Sequence, residues 1–382
     1  MDIARRRLVL GIGGSALLTL WPGSHVAAQA THAGADARLL VVMLRGAMDG
    51  LHLLSPYSDP AYRRARGALA VQDGIRLDGG FALHPRMSFA AELFRERQLL
   101  PLLATAPPYR QRSHFEAQDC LENGTARPDG ARDGWLGRCV AAMPHSEGVA
   151  IASVMPLSLR GAGRAETWSP PLARQVQATL LAQLEPLYAA DHRLASVYAE
   201  AVDPPEAPKA PVQGGFRLPQ AMAAAARLMT ADAGMRVGFV EDSGWDTHRG
   251  QEGVLQRKFA ELDAGLRAAR DGFGDAWRRT AVVVVTEFGR TVAVNGSGGT
   301  DHGTGGLALV AGGGVRGGRI IGDWPGLAPS QLNDGRDLLA TTDLRALFKG
   351  VLAMHMAVPE AALETSVFPQ SRDIRALDGL FA

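Results

Sequence analysis

The stretch Ala281 to Gly306, AVVVVTEFGRTVAVNGSGGTDHGTGG, joins four consecutive valines to a burst of acids, glycines and a histidine. A short β-branched apolar run of this kind reads as a strand buried on both faces, as in a parallel sheet covered by helices. Ligands of such sheets bind beyond the carboxyl ends of the strands. Thr286, Glu287 and Arg290 stand at that end. The glycine-rich segment after them is free to fold Asp301 and His302 back toward the same rim.

The pattern repeats outward from this stretch. Arg38 to Leu44, RLLVVML, is a strand that runs into Arg45-Gly46-Ala47-Met48-Asp49-Gly50, so Asp49 also follows a strand. A carboxylate between glycines suits a metal ion, and it equally suits an Asp-Gly turn or a helix cap. Met235 to Val240 is another strand, followed by Asp246 and His248. Two positions apart in an extended segment, these side chains point to one side and can share an ion. A helix over Val254 to Arg270 then leads into the valine strand. Strand, acid-rich loop, helix, strand is the alternation of a doubly wound α/β sheet.

Leu99 to Ala104 is a further strand, and the segment after it, Tyr109 to Gln118, reads YRQRSHFEAQ. Ser113 suits a helix N-cap, with Glu116 completing a capping box. A serine at a helix start near Arg112 is also placed as a nucleophile, because the positive helix end favours an oxyanion or a bound phosphate or sulfate. Met87 to Gln98 and the segment from Trp135 have helical spacing, Val149 to Val154 and Leu307 to Ala311 read as strands, and Leu344 to Ala357 as a closing helix capped by Thr342 or Asp343. Residues 165–233, rich in alanine, leucine and charge and containing Pro204-Pro205-Glu206-Ala207-Pro208, read as a helical insertion. His84, His192 and His355 read as structural or surface residues.

The chain opens with Arg5-Arg6-Arg7 before an apolar stretch reaching Trp21, and Ala28-Gln29-Ala30 follows the small-residue pattern of a cleavage site. This resembles a twin-arginine export signal. It predicts a leader over residues 1–30, a mature domain over 31–382, use of the twin-arginine export machinery, and a periplasmic or secreted protein with no membrane association once the leader is gone. Removal of the leader takes the formal charge from +1 to about −1, and neither value carries a nucleic-acid signature. Hydrophobic residues make up 46% of the chain, ample for a core. Gly11-Ile12-Gly13-Gly14 lies within the leader with no strand before it, so it is no nucleotide fingerprint. Cys120 and Cys139 form no metal-ligand spacing, and their positions leave open a disulfide or two buried thiols.

Asp49, Asp246, His248, Glu287, Asp301 and His302 thus supply four carboxylates and two imidazoles, each after a strand. Brought together they would make a mixed oxygen and nitrogen site for a divalent ion, zinc or manganese by preference, calcium or magnesium if the histidines only orient. Such an ion would polarise an ester oxygen.

In order along the chain, the twin-arginine leader, LRGAMDG, RSHFEAQ, GWDTH, TEFGRT and GGTDHG resemble an uncharacterised family of exported bacterial proteins within the alkaline-phosphatase and sulfatase-like superfamily. The resemblance spans nearly all of the mature chain. It implies a mostly parallel sheet between helices and hydrolysis of phosphate, sulfate or phosphonate esters, small anionic substrates, at a metal site. It also implies Ser113 as nucleophile, Asp49 as first metal-binding aspartate, Asp246 and His248 as an acid and histidine of one metal site, His302 as the late histidine and Glu287 as the acid of the later strand. Arg290 or Arg112 would hold the anionic oxygens. Phe288 stands where the superfamily has a second histidine, and no C-x-P-x-R or S-x-P-x-R sequence is present, which argues against a formylglycine sulfatase. The competing expectation is a non-catalytic exported binding protein that keeps the fold.

Overall fold

A computed structural model describes residues 36–161, 164–169 and 217–382, with Gly34 and Ala195 as isolated positions. The leader, His192 and most of the 165–233 segment lie outside the described residues. The main elements in chain order are β1 (Arg38–Leu44), α1 (Ser88–Arg95), β2 (Leu99–Ala106), α2 (His114–Asn123), α3 (Trp135–Ala142), β3 (Glu147–Ile151) and β4 (Ala165–Trp168). They continue with α4 (Leu218–Ala231), β5 (Met235–Asp242), α5 (Gln251–Phe273), β6 (Thr280–Val285), β7 (Gly306–Ala311), β8 (Thr342–Asp343) and α6 (Leu344–Met354). The ends of the 165–233 segment belong to the main body: β4 is an edge strand, and α4 packs against α5 and the sheet.

The eight strands run in the order β8-β2-β7-β6-β1-β5-β3-β4. All neighbours are parallel except β7, which is antiparallel to both β6 and β2. The valine strand sits inside the sheet with both faces covered, as its unbroken apolar run requires. Val282 and Val284 point into a core built with α1, α4 and α5. Ala281, Val283 and Val285 point into the opposite core, with α3 and α6. Asp343 caps α6 by accepting from the Arg345 amide at 2.8 Å.

The orientation of β7 decides what reaches the functional rim. Parallel strands β1, β5, β6 and β2 all deliver their carboxyl ends to one edge, carrying the loops that hold Asp49, Asp246, Glu287 and His114. β7 runs the other way, so its amino end lies at that edge, and residues 300–305 before it are brought there too. Among the described residues no helix is long and apolar enough to cross a membrane.

Cys120 and Cys139 are buried free thiols, which resolves the alternative left by their spacing. Burial pushes both up to about 12, and the thiolate is the reactive form. Folded protein at pH 8 is therefore expected to react with neither equivalent of a disulfide reagent such as dithionitrobenzoate, while denatured protein gives two. Prompt reaction of either thiol in the folded state would contradict this placement.

Candidate metal centre

Four side chains from three segments converge at the rim: His114 at the start of α2, Asp246 and His248 after β5, and His302 before β7. His302 Nε2 lies 3.0 Å from His114 Nε2 and 3.0 Å from His248 Nε2. Asp246 Oδ1 lies 3.0 Å from His248 Nε2 and 3.4 Å from His302 Nε2, and its Oδ2 lies 3.5 Å from His114 Nε2.

Each imidazole is fixed from behind. His114 Nδ1–H donates to Glu287 Oε1 at 2.7 Å, His248 Nδ1–H to Asp301 Oδ1 at 3.0 Å, and His302 Nδ1–H to the Arg112 carbonyl at 3.0 Å. These partners assign the tautomers: with the proton on Nδ1, every Nε2 presents a lone pair to the shared centre. Lone pairs facing one another at 3.0 Å make no hydrogen bond and need a cation between them. Ligands 2.0–2.1 Å from a tetrahedral ion stand about 3.3 Å apart, close to the 3.0–3.5 Å that separate His302 from His114 and Asp246, and Asp246 from His114. The residues present therefore fit a divalent metal of the zinc type, held by His114, Asp246 and His302, whose ligand atoms all lie within 4.8 Å of one another, with His248 beside them and a coordination position left open. Carboxylate and carbonyl groups behind ligating histidines orient ligands in this way.

The electrostatics agree with the geometry. With no ion bound, a proton on Nε2 takes its place: burial opposes charge on His114, yet hydrogen bonds to Asp246 and Glu287 outweigh it and raise its pKa to about 9, and an ion would displace that proton. Burial likewise opposes ionisation of Asp246, and hydrogen bonds from His114, His302 and Arg290 overcome it and hold the carboxyl well below the usual range. A site that so favours positive charge favours a cation.

Glu287 is wholly buried and does not reach the centre. Its Oε1 accepts from His114, from Gln118 Nε2 at 2.8 Å and from the Gly46 amide at 2.8 Å, and Oε2 accepts from the Thr286 hydroxyl at 2.9 Å. Glu287 and Asp301 are thus orienting groups one step behind the four converging residues. Phe288 packs against His114 and His302, with ring centroids 4.8 and 5.3 Å away, and gives the centre an apolar wall.

Asp49 stands apart from the cluster, as a helix cap. Its Oδ1 accepts from the amides of Leu51 and His52 and from Arg66, and Oδ2 accepts from Arg66 at 2.5 Å and Gln251 at 2.6 Å. Those bonds leave it no free lone pair for an ion. Gln251 in turn donates to Asp49 and accepts from the hydroxyls of Thr247 and Thr300, tying the carboxylate to the loops beside the centre.

Both arginines expected to bind substrate are already engaged. Arg290, nearly fully buried, donates to Asp246 Oδ1 at 2.5 Å and to the Thr300 hydroxyl and carbonyl, so it aims the ligand. Arg112 pairs with Asp334 at 2.7 Å and Asp337 at 3.0 Å, and contributes its carbonyl to His302. Ser113 is the N-cap residue of α2 by backbone, but its side chain makes no cap bond, and the expected capping box does not form because Glu116 takes the Tyr109 hydroxyl. The serine lies between Arg112, whose carbonyl holds His302 Nδ1 from behind, and His114, whose ring faces the centre.

His114 is the residue that reading the sequence passed over. It sits beside Ser113 in RSHFEAQ, directly after a strand-to-helix loop, with no other metal-ligating residue at a helical pairing distance in that segment. The glycines of the 287–306 stretch explain how His302 returns to the rim. The Gly289 amide donates to the Thr304 carbonyl at 3.0 Å and the Gly303 amide to the Gly289 carbonyl at 2.8 Å, with Arg290 and His302 bridged antiparallel. A Cβ on Gly289 would lie 1.8 Å from the Gly305 carbonyl oxygen, so the two chains approach this closely only at glycine.

Gly46 plays the same part at the end of β1. Its φ is +116°, and an added Cβ would meet the Asp246 backbone nitrogen at 2.4 Å. Gly46→Ala is expected to lower stability by about 1–3 kcal/mol through overpacking and to weaken metal binding by displacing Asp246. A denaturant midpoint and a metal titration check both; unchanged metal affinity would show that the loop absorbs the methyl group elsewhere.

Structures similar to this chain share little sequence with it. A sulfatase candidate from Bacteroides thetaiotaomicron VPI-5482 is 10% identical with a TM-score of 0.42, covering 90% of this chain and 76% of that one. The C-terminal periplasmic domain of EcEptC from Escherichia coli, in complex with Zn, is 10% identical with a TM-score of 0.37, covering 73% and 74%. Ps i-CgsB in complex with a neocarrahexaose is 9% identical with a TM-score of 0.37; 72% of this chain is covered, and it spans 66% of that chain's length. No curated protein matches the sequence. The family model for proteins of unknown function DUF1501 matches residues 36–365, and the chain belongs to that family.

Proposed function

We propose that the protein is an exported, metal-dependent hydrolase of phosphate or related esters, with Ser113 as nucleophile. The observation that carries this reading is the convergence of three Nε2 lone pairs and the Asp246 carboxylate beside the start of α2. The order of RSHFEAQ, GWDTH, TEFGRT and GGTDHG adds the resemblance to alkaline-phosphatase and sulfatase-like proteins, and the arginine-rich leader supports export. When bound at this centre, a zinc or manganese ion supplies Lewis acidity toward an ester oxygen and lowers the pKa of a bound hydroxyl.

The chain's own residues account for the rest. Glu287, Asp301 and the Arg112 carbonyl keep the Nδ1 protons in place and the imidazoles aimed. Arg290 holds Asp246. The amino end of α2 presents backbone N–H groups beside Ser113, where negative charge on a transferring phosphoryl group is favoured. The Ser113 oxygen bonds to phosphorus as the ester oxygen leaves; the serine proton passes to solvent, and the departing alkoxide takes one up. Water then cleaves the phosphoseryl bond and frees phosphate.

Ser113→Ala is expected to retain metal and lose turnover of an aryl phosphate or sulfate at least about 1,000-fold, the scale for loss of a nucleophile that acts as a unit with its activators. Turnover undiminished in Ser113→Ala would remove the serine from the reaction. Metal retention without turnover of any ester, in intact and variant protein alike, would favour the binding-protein reading.

A further inference from the structure

A second group of metal-ligating side chains lies away from the rim, beneath the short helical turn Gly50–Leu53. One ring nitrogen from each of His52 and His84 and a carboxylate oxygen of Glu252 lie within 4.8 Å of one another. His52 is 1% exposed; its Nδ1 has no hydrogen-bond partner, and its Nε2 stands 3.2 Å from Glu252 Oε2. A buried polar group left unsatisfied is costly, and such groups in folded proteins call for an explanation. His84 is 4% exposed, with its ring centroid 5.3 Å from that of His52, and both rings pack on Phe259.

We propose that His52, His84 and Glu252 form a second metal site, for a divalent transition ion of the zinc class. Two imidazoles and a carboxylate suit such an ion and leave coordination positions for water. A recess of about 390 Å³ gives access: His84 and Glu252 line it with Gln72, Asp73, Arg86 and Gln256. The binding partner is therefore a small hydrated cation. Glu252 follows Gln251, the residue linking Asp49 to the loops of the first centre, and α5 begins at this point. An ion here would pin the start of α5 to the Gly50–Leu53 turn. His84 Nδ1 accepts the Arg86 amide at 3.1 Å, so coordination through Nε2 moves the ring proton and breaks that bond, and the Arg86 amide resonance should shift on loading.

The test is zinc stoichiometry of the mature full-length chain, by elemental analysis and calorimetric titration. Two equivalents are expected in intact protein, one in Glu252→Gln and in His84→Gln, and one in His302→Ala. Glu252 is on the rim of the recess, so its substitution leaves the packing intact, and circular dichroism verifies the fold of each variant. One equivalent in intact protein, lost in His302→Ala and kept in Glu252→Gln and His84→Gln, would overturn the second site and leave the first. One equivalent kept in His302→Ala and lost in Glu252→Gln would remove the first centre and uphold the second. Absence of zinc from intact protein overturns both.

Discussion

His302→Ala is expected to lower affinity at the rim centre by more than about 100-fold, beyond the 10–100-fold cost of removing a group that only orients a ligand. His302 Nε2 is the atom nearest to both other imidazoles, 3.0 Å from each, so its loss opens the cluster at the middle. Glu287→Gln is expected to fall within that smaller range, since it weakens the hold on His114 Nδ1 without removing a ligand. His302 is a better probe than Asp246, because Asp246→Ala would leave the Arg290 guanidinium buried without its carboxylate. Competition with a chromogenic chelator measures both affinities. Equal losses for His302→Ala and Glu287→Gln would contradict the division between coordinating and orienting residues.

Arg66→Met is expected to destabilise the protein by about 3–5 kcal/mol, the cost of leaving one member of a buried ion pair without its partner. Arg66 is 0% and Asp49 1% exposed, and the pair is bidentate at 2.5 and 2.8 Å. With Arg66 gone, the Asp49 carboxylate keeps two backbone amides and Gln251 but loses its countercharge. Urea denaturation gives the size of the effect. Asp49→Asn separates the structural role from the ligand role implied by resemblance: stability should fall while affinity at the rim centre holds. If zinc affinity in Asp49→Asn falls as far as in His302→Ala, Asp49 is a ligand after all.

What could be read from the sequence follows from how each feature is encoded. The valine run of Ala281 to Val285 marks a strand buried on both faces, and such a strand is filled mostly by apolar residues along its length, so neighbouring positions carry the signal. The same holds for Arg38–Leu44 and Met235–Val240, and for α1, α5 and α6, whose spacing shows which face is buried. Placing Asp246, His248 and His302 at one rim needed only the rule that parallel strands share a carboxyl edge, plus the glycines that let the 287–306 stretch double back.

Ligand and orienting group, by contrast, look alike in sequence. Glu287 and Asp301 carry the same carboxylate as Asp246, yet two of them face Nδ1 atoms and one faces the centre. That distinction is set by a few ångströms of backbone placement among β6, β5 and the antiparallel β7. Asp49 is the clearest case: its fate turned on Arg66, a surface-looking arginine in YRRAR that the fold buries beside it. His114 entered the centre because β2 lies two strands from β6, a neighbour relation fixed by β7 between them and written in no local motif. Strand identity and the rim belong to periodicity and were determined by the sequence alone; the membership of the site depends on contacts between distant segments, and only the tertiary structure decided it.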